Sequence, residues 1–158
     1  MLQISFDQQK LLDEIAELCE IDFQEFLAQR RPYLDSEQLV ELKTHGHDIG
    51  AHGVDHQWLN EMNPNRQFEQ MCESVQLLTS LLKDHIRAFS FPFNSEGVSP
   101  EICERAISGE IVDVIFGAGG IGTWNEPHCH QRFSMEGTAS SARQILAKQY
   151  RCLMPSKQ

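Results

Sequence analysis

The sequence predicts an α/β fold in which parallel strands are joined by crossover helices, preceded by an N-terminal helical segment. Three observations carry this expectation. From residue 47 onward, short apolar runs alternate with segments of helical period, the order that βαβ units impose. The helical segments carry their own start signals, a capping residue followed by proline or by a glutamine three positions on. Two histidines, His52 and His56, fall directly behind the first apolar run, and in such folds the chemistry sits on loops at the C-terminal ends of strands.

Residues 8 to 28 place Leu11, Leu12, Ile15, Leu18 and Cys19 on one helical stripe, followed by Phe23, Phe26 and Leu27 after a break near Ile21 and Asp22. One bent helix or two short ones are expected. "YLDSEQLVELKTHG" reads as the next helix, with Asp35 and Gln38 forming a capping box, Leu39 and Leu42 inward, and Gly46 at the C′ position. "HDIGAH" reads as a short buried strand. "NPNRQFEQMCESVQLLTSLLK" is the longest helix, with Asn63 as N-cap, Pro64 at the first helical position, and a core stripe of Phe68, Met71, Val75, Leu78 and Leu82. A strand "RAFSFPF", a helix capped by Ser99, a strand "VDVIFG", a strand "HQRFSM" and a closing helix "SSARQILAKQY" complete the order.

A chain of 158 residues with 41% hydrophobic and 23% charged content is that of one globular domain, 1–158. No apolar run approaches the roughly 18 to 20 residues that span a bilayer. The formal charge of −10, with thirteen scattered basic residues, argues against nucleic acid, whose binding rests on clustered Lys and Arg. Cys19, Cys72, Cys103, Cys129 and Cys152 form no C-x-x-C pair, which suits free thiols in a reducing compartment, so a cytoplasmic location is expected.

The H-x-x-x-H pair in "GAHGVDHQWL" has the spacing of two zinc ligands, because neutral imidazoles four apart can reach one ion. The same spacing is also that of two solvated loop histidines. His45 and His47 read as surface residues at a helix end. "GAGGIG", Gly117 to Gly122, satisfies the dinucleotide fingerprint, yet "TWNEPHCH" follows where a helix should open; it reads as a glycine-rich turn. No G-x-S-x-G elbow is present.

Taken together, "HGHDIGAHGVDH" and, some thirty residues on, "AFSFPFNSEG" resemble the polysaccharide deacetylases of carbohydrate esterase family four. The resemblance implies a partial or distorted (β/α) barrel in which His52 and His56 bind zinc or another divalent metal, with Gly53 where the family has Ser or Thr. It implies that the backbone N–H of Phe93, in the aromatic-Pro-aromatic turn Phe91-Pro92-Phe93, helps form an oxyanion hole. Ser90 stands where many members have arginine, and "HCHQRFSM" offers His130, or His128, as the general acid. The opening T-F-D-D-G motif has no full counterpart. "ISFDQQ" is similar to a decayed copy, with Asp7 in the place of the base and Gln8 in that of the third ligand, while residues 1–35 are similar to a helical insert of some members. The preferred reading is the C-terminal two-thirds of a deacetylase domain.

The function implied by the resemblance is that of a metal-dependent hydrolase removing acetyl groups from a carbohydrate, incomplete in this chain and binding zinc weakly. The alternatives are a non-catalytic relative that binds a glycan and, through "GAGGIG", a nucleotide-binding module. An exposed edge on "HDIGAH" is expected to be covered or paired with another chain, giving a homo-oligomer.

Overall fold

The computed structural model describes residues 8–83, 86–120, 127–133, 135 and 140–153. Asp7, Ser134 of the expected last strand, and the last two residues of "GAGGIG" lie outside them. The chain falls into two compact units, Met1–Leu42 and Lys43–Gln158.

In the first unit the expected break is present. Helix α1 spans Gln9–Leu18, the chain turns through Glu20 at φ 54°, and α2 spans Phe23–Arg30. Asp22 caps α2, its carboxylate accepting from the Gln24 N–H at 2.8 Å and the Glu25 N–H at 3.2 Å, which satisfies two otherwise bare donors. Helix α3, Ser36–Thr44, begins in this unit behind a reciprocal capping box: Asp35 N–H donates to the Gln38 side chain and Gln38 N–H to the Asp35 carboxylate, each at 2.9 Å. Beyond it Gly46 takes φ +88°, the left-handed cap that a Cβ disfavours.

The second unit is built on three parallel strands in the order β1 (Ala88–Ser90), β2 (Val114–Gly117), β3 (Cys129–Gln131). Side chains alternate across a strand. One face therefore carries Phe89, Ile115 and Cys129, in register and buried. The opposite face carries Ser90, Phe116 and His130 in a second row.

Helices α4 (Pro64–Leu81) and α5 (Pro100–Ser108) close the buried side, with Met71, Val75, Cys103 and Ala106 packed against Phe89 and Ile115. Asn63 and Ser99 cap these helices as expected, each ahead of a proline. Helix α6 spans Ala142–Leu153. At the N-terminal ends of the strands, Asp113 accepts two side-chain hydrogen bonds from the Arg87 guanidinium and one from the Arg87 backbone N–H, bolting β1 to β2.

One expectation is corrected. "HDIGAH" contributes a single bridged residue: Ala51 pairs in parallel with Phe89, donating to Ala88 O at 2.8 Å and accepting from Ser90 N–H at 2.9 Å. Gly50 beside it lies so close to β1 that an added Cβ would sit 3.1 Å from the Ala88 Cβ. The described strands form an open sheet, and a closed barrel is not seen among the described residues.

Candidate functional site

The histidine loop leaves the Ala51 bridge at the C-terminal end of the sheet, beside the end of β1. His52 places its ring Nδ1 2.7 Å from the Ser90 backbone oxygen. A carbonyl only accepts, so Nδ1 carries a proton, and in the neutral imidazole the lone pair is then on Nε2. A backbone acceptor that fixes the tautomer in this way is the usual support of a metal-binding histidine. The His56 ring lies 4.9 Å from that of His52 between centroids, tilted by 59°.

Fixing such a loop requires acceptors for its backbone N–H groups. Gln70 on α4, fully buried, supplies one: its side-chain oxygen accepts from Val54 N–H at 2.9 Å and Asp55 N–H at 3.2 Å. Its amide nitrogen donates to the Asp55 carboxylate at 2.8 Å. Arg66, one turn earlier on α4, approaches the same carboxylate at 3.5 Å and also pairs with Glu69 and Glu73. The hydrogen bond to Glu69, with the charges of Glu73, Glu69 and Asp55, raises the guanidinium further above its ordinary value against a smaller opposing effect of burial.

Gly53 takes φ +85°, and a Cβ there would meet Pro92 at 3.5 Å and the Gln70 side-chain oxygen at 3.6 Å. The hydroxyl that the resemblance finds missing at this position is thus not the loop's only available tether; Gln70 ties it from the other side. Gln70 is not legible in the sequence as a site residue, because a polar residue in an amphipathic pattern reads as solvent-facing.

The turn after β1 brings in the third expected residue. Phe91 and Pro92 are buried, and Phe93 follows at φ 58°, a left-handed conformation uncommon for a bulky residue; His56, at φ 53°, shares it. Strained backbone of this kind clusters where a group must be aimed. The Phe93 ring meets the His56 ring edge-on at 4.8 Å and stacks on Trp58 at 5.1 Å. His52, His56 and Phe93 therefore come together.

His130 does not touch them. It stands two strands along the row Ser90, Phe116, His130, roughly 10 Å from Ser90 at ordinary strand spacing, with its ring 6.0 Å from Phe116. A cleft of about 510 Å³ opens on this face of the sheet, lined by His52, Ser90, Phe116 and Arg132 among others. His128 turns its Nδ1 to the Asp113 backbone oxygen at 3.2 Å. Among the described residues, no group of three or more His, Cys, Asp or Glu is placed to hold a metal ion. Nor is any described helix long and apolar enough to cross a membrane.

Comparison with known proteins places these residues in a family. A family model described as "Polysaccharide deacetylase" matches residues 20–106, the span that holds the histidine loop, α4 and the Phe91-Pro92-Phe93 turn. A curated Bacillus subtilis (strain 168) protein named "Putative polysaccharide deacetylase YxkH" is 32% identical over 60 residues, which is 38% of this chain and 22% of that protein. The chain thus spans about a fifth of the relative's length. No solved structure matches the chain.

Proposed function

Since the chain belongs to the polysaccharide deacetylase family, we propose that it is part of a metal-dependent hydrolase that removes acetyl groups from an N- or O-acetylated carbohydrate, with His52 and His56 as metal ligands. The observation that carries this reading is the pair of imidazoles 4.9 Å apart, one of them held by the Ser90 carbonyl with Nε2 left free. The donor set suits zinc, for which imidazole nitrogen is a preferred ligand, although a catalytic site usually has three protein ligands and a water. A bound divalent ion supplies Lewis-acid polarisation of the acetyl carbonyl and a more acidic water.

The chain's own residues do the rest. Ser90 O fixes the His52 tautomer, and Gln70 holds the loop in place between the two histidines. The backbone N–H of Phe93, set by its left-handed conformation, is the donor we assign to the oxyanion. A donor aimed at the developing charge is worth about 3 to 4 kcal/mol of barrier. His130, at the far end of the same row of side chains, is assigned the proton that the leaving amine or alcohol takes up.

The test is release of acetate and amine from N-acetylglucosamine oligomers, with and without added zinc, for the chain and for its His52→Ala variant. Turnover that needs the metal and disappears in the variant is the expected result. Sugar binding with neither zinc retention nor turnover would instead assign a non-catalytic, glycan-binding role.

A further inference from the structure

Beside the histidines lies an aromatic surface whose rings take no part in the proposed chemistry. Trp58 and Phe93 are 41% and 52% exposed, and their rings stack at 5.1 Å with only 24° between planes. Large aromatic rings are normally hidden, since each can bury roughly 150 to 250 Å². Here two stand open together, and the edge-on contact of Phe93 with His56 makes them continuous with the histidine pair.

The backbone that carries both rings is anchored. Phe93 follows the buried Pro92, and Trp58 precedes Leu59, the buried first residue of a 3-10 turn. The segments that carry them also meet: an added Cβ on Gly97 would lie 2.9 Å from the Asn60 Cβ. Rigid aromatics bind with little entropic loss.

An aromatic face is electron-rich and attracts weakly positive C–H groups. A gluco-configured pyranose offers such a face, because its ring substituents are equatorial and its axial positions are hydrogens. The charge of −10 favours a neutral ring over a uronic acid. We propose that the exposed face of Trp58, backed on its other side by the stacked Phe93 ring, seats a neutral N-acetylglucosaminyl ring beside the His52–His56 pair. The choice of that sugar rests on the function proposed above; the stacking itself is measurable without metal.

Trp58 and Trp124 are the two tryptophans of the chain, so a Trp124→Phe variant leaves Trp58 as the sole indole reporter. Titration of that variant with N-acetylchitotetraose, in the presence of EDTA, should give a saturable shift of Trp58 emission. By calorimetry on the otherwise unchanged chain, Trp58→Ala should weaken binding about tenfold, Phe93→Ala should weaken it as well, and Trp58→Tyr should retain most of it; stacking of a base on an aromatic ring sets that scale. Far-UV circular dichroism checks that each variant is folded.

Absence of binding, binding unchanged by Trp58→Ala and Phe93→Ala, or tighter binding of an oligogalacturonate would overturn the stacking proposal. Metal retention is read separately. Zinc held by the histidines without any sugar binding removes the stacking proposal and leaves the metal reading intact, whereas sugar binding without zinc does the reverse.

Discussion

Replacing Gln70 by leucine keeps the side-chain volume and removes every hydrogen bond that the residue makes to the histidine loop. Three are lost: two from backbone N–H groups and one to the Asp55 carboxylate. Neutral bonds contribute about 1 kcal/mol each and a charged one about 1.5 to 3 kcal/mol. Val54 is half exposed, so water can reach its N–H and recover part of the loss. The net cost is about 3 kcal/mol, which at ordinary urea sensitivities lowers the unfolding midpoint by about 1 to 2 M. Urea titration measures that shift, and amide hydrogen exchange should show faster exchange at Val54 and Asp55.

The chemistry of the contact is separated from its volume by an exchange of groups. Gln70→Glu alone sets two carboxylates against each other, whereas Gln70→Glu with Asp55→Asn restores a donor facing an acceptor and should recover most of the stability. If Gln70→Leu unfolds within about 0.5 kcal/mol of the parent chain and both amides keep their protection, Gln70 is filling space and the anchoring role is wrong.

Gly53→Ser, which would bring in the residue type the family uses, should destabilise by about 1 to 2 kcal/mol because the site is left-handed at φ +85°; a thermal melt lower by several degrees checks it, and an unchanged melt would mean the loop relaxes freely. Burial pushes the Cys103 thiol from 9.0 up to about 12, so it should resist thiol reagents at pH 8 until the chain unfolds. The same rise means that its contribution is complete below about pH 9 and is lost as pH climbs toward 12, since only the unfolded thiol ionises in that window; a Cys103→Ala variant should lack this alkaline decline. Asp113→Asn, which weakens the Arg87 bolt at the end of the sheet away from the histidines, should cost about 1 kcal/mol in urea unfolding and leave zinc binding unchanged.

Local chemistry is legible in the sequence and long-range placement is not. The caps of α2 and α5, the Asp35–Gln38 box and the Asn63-Pro64 start of α4 are all short-range patterns, and the last three can be read from the residues alone. Asp22 marks only a break there, with its capping role left unseen. "HDIGAH" has the composition of a strand, but its pairing depends on a distant β1 and reduces to one residue, Ala51. His52, His56 and Phe93 can be named from their motifs. The support of His52 by Ser90 O, the grip of Gln70 and the stack of Trp58 on Phe93 cannot, since each joins residues far apart in the chain. The left-handed backbone at Phe93 also leaves no mark, because a bulky aromatic residue does not announce a positive φ.

The central claim is that His52 and His56 jointly take a metal through free imidazole nitrogens, and nitrogen NMR of the histidine side chains during a zinc titration reads it most directly. The chain has seven histidines. Before metal, His52 should show the tautomer protonated at Nδ1, as its contact with Ser90 O requires. On adding zinc, the Nε2 resonance of His52 and one ring nitrogen of His56 should shift together, while the other five histidines stay in place. A His52 protonated at Nε2, or zinc shifts spread over His45, His47 and His128 with the pair unmoved, would contradict the account.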